Sequence, residues 1–149
     1  MNNELLERLH REGLKLASFE KRIIAYLVDF FVISVILSFI FVDDLANTNY
    51  ENAADLTRKM IITVFLVNFL YHFIFAFLYG ASVGKFLCKI AIVDDRLLDK
   101  PNLLQSAIRA IMRNVSENCF MLGYFWAFGN DSRKTWQDYV AKTVVIEVA

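Results

Sequence analysis

The longest apolar stretch of the chain covers residues 23–42 and contains one charged side chain, Asp29, and two serines. About twenty apolar residues in a helix span the ~30 Å hydrocarbon core of a bilayer. The stretch therefore predicts a transmembrane helix over residues 19–42, preceded by Ser18 as N-cap. A carboxylate near the centre of such a helix costs about 2.5–3.5 kcal/mol. Asp29, with Arg22 almost two full turns before it, thus marks a face that does not contact lipid.

A second apolar stretch, residues 60–79, lacks Lys, Arg, Asp and Glu and predicts a second transmembrane helix. The polar loop of residues 43–59 joins the two helices, which should therefore be antiparallel neighbours. At about 1.5 Å per residue, Asp29 and His72 lie ~10–12 Å below the same membrane surface. We expect Asp29 to contact His72 or the adjacent Tyr71 across the helix pair.

Two interpretations of these intramembrane polar residues stay open. In the first, Asp29, Asn68, Tyr71 and His72 form an ion or proton relay, since histidine titrates near neutral pH. In the second, Asp29, Tyr71 and His72 form with Arg22 a neutralising network that fixes the helix packing, because a buried polar cluster needs satisfied partners in either case.

Shorter elements follow the second helix. Gly80 and Gly84 have the small-xxx-small spacing that lets two backbones approach closely. Residues 90–93 and 143–148 are β-branched runs that predict two short strands, which could pair and satisfy each other's backbone groups. Residues 119–129 are apolar but too short to span a bilayer alone. They predict a re-entrant or tilted membrane segment, or the second half of a polar-interrupted helix.

The basic residues downstream of the hairpin are candidates for contact with lipid. Asn102 opens a predicted amphipathic helix as part of a capping box, and the pattern of that helix is interfacial. Its Arg109 and Arg113, together with Lys85, are candidate ligands of anionic lipid headgroups. Arg113 could instead pair with Glu117 one turn further on.

The distribution of basic residues predicts the orientation in the membrane. Residues 1–22 carry five Lys and Arg and residues 80–113 carry six, whereas the 43–59 loop carries two. The N-terminus and residues 80–113 should therefore be cytoplasmic. The side of the tail stays open, although a re-entrant 119–129 segment would leave it in the cytoplasm.

These elements together predict the fold class and the domain organisation. Residues 2–18 alternate leucines and charged side chains with helical spacing, which predicts an amphipathic helix on the membrane surface or a solvated arm. We divide the chain into an amphipathic cytoplasmic arm, residues 1–18, and a transmembrane domain, residues 19–149. The predicted fold is an all-α integral membrane protein. It has two antiparallel transmembrane helices, an interfacial amphipathic helix, a third short or re-entrant membrane segment, and two short cytoplasmic strands.

Composition narrows the functional classes. Hydrophobic residues make up 57% of the 149 residues, above the usual ~45–50%, and the formal net charge is zero, so no global field recruits nucleic acid. Cys88 and Cys119 lack the spacing of a metal site or a redox pair. We find no nucleophile–His–acid arrangement and no phosphate loop. We therefore expect no enzyme, no cofactor, no metal site and no nucleic-acid partner. The expected partner is the lipid bilayer, with a homo-oligomer as a further possibility.

Several motifs in order resemble the RDD family of bacterial membrane proteins. They are Arg22-x-x-Ala25-x-x-x-Asp29, Gly80-x-Ser82-x-Gly84-Lys85, Ile92-Val93-Asp94, Arg109 or Arg113, and Arg133-x-x-Trp136-x-Asp138-x-x-Ala141-x-Thr143-x-Val145. The resemblance covers residues 19–146. It implies that Arg22, Asp29 and Asp138 are the residues for which the family is named. Gln137 stands where the family often has His, which departs from the pattern.

The resemblance implies a multi-pass protein of the bacterial inner membrane and a transport role, with cation/proton antiport in some members. Two functions follow as alternatives. One is a transporter of a cation, a proton or a small solute, which would need a homo-oligomer because two or three helices cannot enclose a pathway. The other is a non-transporting accessory or regulatory protein whose Arg/Asp cluster is structural.

Overall fold

The computed structural model describes residues 2–119 and 121–148. Three residues lie outside the described residues: Met1 of the predicted arm, Phe120 of the predicted short membrane segment and Ala149 of the predicted transmembrane domain. The described elements follow one another in this order: α1 (Asn2–Arg11), α2 (Phe19–Ala46), α3 (Ala53–Tyr79), α4 (Val83–Leu87), β1 (Ile90–Asp94), α5 (Leu103–Asn118), α6 (Leu122–Phe125), a 3-10 helix (Trp126–Gly129), α7 (Trp136–Ala141) and β2 (Thr143–Glu147). The fold is therefore mostly helical, with one small sheet.

The two long helices α2 and α3 correspond to the two predicted spans. They contain 28 and 27 residues, about 40 Å each, and both are long and apolar enough to cross a membrane. Only 17% of the residues in the most apolar window of each helix are buried, so their apolar surface faces outward rather than into a core. Both helices extend beyond the apolar runs, and the predicted 43–59 loop shrinks to residues 47–52, because hydropathy marks the apolar run and not the end of helical hydrogen bonding.

Contacts at both ends show that α2 and α3 form an antiparallel hairpin. Lys59 near the start of α3 forms an ion pair with Asp44 near the end of α2, with Nζ and Oδ2 2.6 Å apart. Tyr71, in the second half of α3, donates a hydrogen bond to Asp29 in the first half of α2. Ser18 caps α2 as predicted, by accepting a hydrogen bond from the Lys21 amide.

The two predicted strands pair as an antiparallel sheet at the end of the hairpin where α2 begins and α3 ends. Ile92 lies opposite Val145 in the register, and Ile90 lies opposite Glu147. The Ala17 amide donates to the Val145 carbonyl, and the Ile92 amide donates to the carbonyl of Gly80, which ends α3. The tail therefore lies at the same end of the hairpin as the N-terminus, which is the arrangement expected for a re-entrant 119–129 segment.

The N-terminal helix α1 packs on this sheet. Leu5 and Leu9 are buried against Val93 and Val144, so the prediction that the leucine face lies on a membrane surface, or that the arm is solvated, is wrong. The helix is also shorter than residues 2–18, because Gly13 takes a left-handed φ of +70° and the chain then runs extended beside β2. The leucine face of α1 packs on the sheet, and the helical periodicity of residues 2–18 could not show that this sheet would cover it.

Helix α5 begins with the predicted Asn102 capping box, but its two faces are arranged opposite to the expectation for a surface helix. The apolar side chains of Leu104 and Ile111 are exposed. Arg109 and Arg113 are buried against the rest of the protein. A helix with buried polar residues and exposed apolar residues fits an apolar surrounding rather than water.

Residues 119–129 form no long helix in the part that the structure describes. After Cys119 the chain makes the single turn of α6 and the 3-10 helix, and it folds back onto the start of α2. The Phe128 ring stacks on Phe19 with centroids 4.3 Å apart, and Tyr124 contacts Tyr26 edge-on at 5.6 Å. The segment thus returns to the end of the hairpin from which it came and is not the second half of a longer helix.

Candidate functional site

Asp29 is fully buried and its carboxylate accepts hydrogen bonds from three donors. The Tyr71 hydroxyl lies 2.8 Å from Oδ1, the Gly84 amide 2.8 Å from Oδ1, and the Ser82 hydroxyl 2.6 Å from Oδ2. Ser82 is also the N-cap of α4. The aspartate therefore connects α2 to α3 and to α4, and the predicted contact with Tyr71 is present.

The missing side chain of Gly84 allows its backbone amide to reach the Asp29 side chain of α2. A Cβ built on Gly84 would lie 3.0 Å from Ala25 Cα, 2.8 Å from its carbonyl carbon and closer still to its carbonyl oxygen. Carbon atoms in ordinary contact are about 3.5–4.0 Å apart, so only glycine fits. The close approach expected from the Gly80–Gly84 spacing is found at Gly84, whereas Gly80 ends α3 with a left-handed φ of +68°.

Asp138 is the second buried carboxylate, and it holds the tail. Arg109 donates a hydrogen bond to Oδ1, and Arg22 Nη1 lies 3.7 Å from Oδ2. The amide and hydroxyl of Thr135 each lie 3.0 Å from Oδ2, so Asp138 also closes a capping box at the start of α7. Burial alone would raise the pKa of Asp138, but Arg109, Arg22 and the hydrogen bonds hold that pKa below its ordinary value.

Arg22 joins the start of α2 to the tail and not to Asp29. Its guanidinium donates to the carbonyl of Arg133 at 2.5 Å and to the carbonyl of Val145 at 3.4 Å, in addition to its ion pair with Asp138. Among the described residues it forms no hydrogen bond or ion pair with Asp29. Arg22 and Asp138 therefore meet as expected, whereas the expected Arg22–Asp29 network is replaced by two separate polar groups.

The remaining members of the suggested relay do not connect to Asp29 through hydrogen bonds in the described part of the chain. Asn68 donates to the Val64 carbonyl of its own helix at 3.2 Å. His72 contacts the Tyr71 ring edge-on at 4.9 Å, and its buried Nε2 has no hydrogen-bond partner. Of the four residues, only Asp29 and Tyr71 therefore share a hydrogen bond in the described part of the chain.

The three candidate headgroup ligands all line one cavity but differ in how the protein holds them. Arg113 Nε donates to Glu117 at 3.2 Å, which is the alternative pairing expected from the sequence, and its guanidinium lies over the Tyr26 ring at 5.2 Å. Arg109 is held by Asp138. Lys85 is half-buried, and its Nζ makes no hydrogen bond or ion pair within residues 2–119 and 121–148. Burial lowers the pKa of Lys85 to about 7, assisted by the nearby charge of Arg113.

A cavity of about 300 Å³ lies between the start of α2 and the α5–α7 segment. Its polar side contains three arginines, one lysine and one carboxylate: Arg22, Arg109, Arg113, Lys85 and Asp138. Its other side is aromatic and aliphatic: Phe19, Ile23, Tyr26, Met121, Tyr124, Phe125, Ala127, Phe128 and Val145. The arrangement offers hydrogen-bond donors and positive charge at one end and an apolar surface at the other.

Sequence reasoning missed several partners of the two carboxylates. Ser82 and the Gly84 amide belong to the Gly80-x-Ser82-x-Gly84 motif, which indicated backbone approach but not the aspartate that it contacts. Thr135 stands three residues before Asp138, the spacing of a capping box, and that signal could have identified it. These contacts join segments distant in sequence, so only the folded chain shows them.

The sequence model of the RDD family matches residues 16–142, which covers most of the chain and includes all three candidate signature residues. No curated protein and no solved structure matches the chain. The resemblance drawn from the motifs is thereby confirmed at the level of the family.

Proposed function

Because the chain belongs to the RDD family, we propose that it is an integral membrane protein acting as a non-transporting accessory or regulatory protein. In this proposal Arg22, Asp29 and Asp138 are structural residues. Asp29 holds α4 against the end of the helical hairpin, and Asp138 with Arg22 holds α5 and α7 there. The chain has no role as an enzyme in this proposal.

The full enclosure of Asp29 is the observation that carries the proposal. A residue that binds and releases a cation needs free acceptor positions and access for water or ions. Asp29 is 0% exposed, and its carboxylate already accepts three hydrogen bonds from protein groups. An aspartate bound in this way stabilises helix packing, because removing any donor leaves a buried charge underpaired.

The outward apolar surface supports the membrane setting. Ile24, Phe31 and Phe39 of α2 are more than half exposed, as are Ile61 and Ile62 of α3. Contiguous apolar surface of this kind is rare on monomeric soluble proteins and costs no free energy in lipid. We place the N-terminus and the sheet on the cytoplasmic side of a bacterial inner membrane, since residues 1–22 and 80–113 hold most of the basic residues.

Flux measurements in proteoliposomes test the proposal that the protein does not transport ions. The full chain is reconstituted with an internal pH dye, and Na⁺ and K⁺ gradients are imposed in turn. We expect wild type, Asp29→Asn and the exposed-acid control Asp43→Asn to give the same flux as protein-free liposomes. We also expect Asp29→Asn alone to lower the melting temperature. A wild-type flux above that of protein-free liposomes would overturn the proposal, and its loss in a stably folded Asp29→Asn variant would assign the flux to Asp29.

Transport by a homo-oligomer is a second candidate, favoured by one observation. His72, with its unpartnered buried Nε2, lines a small cavity of about 20 Å³ together with Ser82 and Lys85. A second copy of the chain could extend that space into a path between the hairpins. In the same flux assay this candidate requires a wild-type signal that a His72→Ala variant lacks.

A further inference from the structure

The 300 Å³ cavity lies at the depth where a lipid headgroup would be found if the hairpin spans a membrane. Its α2 wall consists of Phe19, Arg22, Ile23 and Tyr26, the first two turns of the helix. Two turns extend about 11 Å from the helix start. This is the zone in which the hydrocarbon core gives way to headgroups.

Several donors that line this cavity have no acceptor in the described part of the protein. Lys85 Nζ makes no hydrogen bond or ion pair there. The Arg22 Nε and the Tyr124 hydroxyl are buried and also unpartnered, and both residues line the cavity. A buried donor without an acceptor costs about 1–3 kcal/mol, so a set of them facing one space indicates a ligand that supplies acceptors.

The opposite end of the cavity is apolar and opens outward. Ile23, Phe125 and Phe128 line it and are each more than half exposed, with values of 55%, 63% and 61%. Exposure of these apolar side chains to water would be unfavourable, whereas in a membrane they would contact acyl chains. A ligand at the cationic end thus has an apolar route that leads directly into the bilayer.

We propose that this cavity binds an anionic amphiphile, with a phosphate-bearing headgroup against Lys85, Arg22 and Arg113 and an acyl chain leaving past Ile23 and Phe125. The inference rests on the membrane setting in the proposed function. The volume of about 300 Å³ suits a headgroup and the start of a chain. Three arginines against one carboxylate disfavour a cation. A free phosphate would leave the apolar half of the cavity unused.

Lys85 is the residue through which the proposal is best tested. Its Nζ makes no hydrogen bond or ion pair within residues 2–119 and 121–148, so Lys85→Gln should remove a ligand contact without breaking a hydrogen bond of the protein. Lys89 is a matched control, since it lies four residues further on, after the end of α4, and is exposed outside the cavity. Lys85→Arg keeps the charge and should keep binding.

The experiment is a titration of the full-length protein in a neutral detergent with dioctanoyl phosphatidylglycerol, followed by intrinsic tryptophan fluorescence and by melting temperature. Dioctanoyl phosphatidylcholine and glycerol phosphate are the comparison ligands. We expect phosphatidylglycerol to bind and to raise the melting temperature, and Lys85→Gln to weaken binding about tenfold. Lys89→Gln and Lys85→Arg should stay within about threefold of wild type.

Each other outcome would overturn the proposal in a recognisable way. Equal binding of phosphatidylcholine would show that the cavity does not select an anion. Equal binding of glycerol phosphate would identify a site for a free phosphate rather than an amphiphile. An equal loss of phosphatidylglycerol affinity in Lys85→Gln and Lys89→Gln would assign binding to general surface charge. Because the titration needs no ion gradient, cation flux in liposomes would refute the non-transporting function without affecting this result.

Discussion

The contact between α4 and α2 leads to a quantitative prediction for Gly84→Ala. The new methyl group would lie 2.8 Å from the Ala25 carbonyl carbon and closer still to its oxygen. These are backbone atoms of a helix, so they cannot move aside as a flexible side chain would. Helix α4 must instead move away from α2 by about 1 Å or more to restore normal contact.

That displacement would act on the hydrogen bonds of Asp29. The Gly84 amide and the Ser82 hydroxyl donate to this carboxylate at 2.8 and 2.6 Å, and both belong to the segment that must move. Overpacking costs about 1–3 kcal/mol, and weakening a hydrogen bond to a charged group costs about 1.5–3 kcal/mol. We therefore expect about 3–5 kcal/mol of destabilisation, which is roughly a 10 °C fall in melting temperature.

The measurement is thermal unfolding of the detergent-solubilised protein, followed by tryptophan fluorescence. Gly129→Ala is the matched control, because a Cβ on Gly129 meets nothing within 4 Å and its φ is not in the left-handed region. We expect the control to melt within about 2 °C of wild type. Equal melting temperatures for the Gly84 and Gly129 variants would refute the close approach of α4 to α2.

Two further predictions concern the buried carboxylates. Asp138→Ala should destabilise the protein by about 3–5 kcal/mol, since it leaves the buried Arg109 and the partly buried Arg22 uncompensated, whereas Asp131→Ala on the surface should be nearly neutral in urea unfolding. The pKa of Asp138 is lowered in the folded protein, so the stabilisation that Asp138 contributes is present above the ordinary carboxyl pKa of 3.8 and is lost as the pH falls through the lowered pKa. An acid-unfolding midpoint that Asp138→Ala leaves unchanged would contradict this. Tyr71→Phe removes a donor to Asp29 and should cost about 1.5–3 kcal/mol, against almost nothing for the exposed Tyr79→Phe, so equal melting temperatures for these two variants would show that the bond contributes little.

The elements that local patterns determine were predicted well. Helices α2 and α3 and strands β1 and β2 were expected in the right places, as were the caps at Ser18 and Asn102. The reason is that helix propagation, capping and strand preference depend on neighbouring residues. Helix ends beyond the apolar runs were missed, because polar residues such as Asp43 continue a helix without changing its hydrogen bonding.

Predictions that depended on the surroundings of an element succeeded less often. The pattern of α1 identified its apolar side correctly but not the sheet that covers Leu5 and Leu9. The pattern of α5 identified two faces, and the fold buried the one that holds Arg109 and Arg113. Periodicity states which residues share a face, but it carries no information on whether protein, lipid or water covers that face.

The sequence by itself determined that this is a two-helix membrane-type protein of the RDD family, with Arg22, Asp29 and Asp138 as its unusual charges. Twenty-residue apolar runs and motif spacing are properties of the chain that need no folding to be recognised. Only the tertiary structure decided that Asp29 accepts from Ser82 and the Gly84 amide while Arg22 joins Asp138 in the tail. Buried charges are satisfied by whichever donors the packing brings within about 3 Å, and packing joins segments more than a hundred residues apart, such as Arg22 and Asp138.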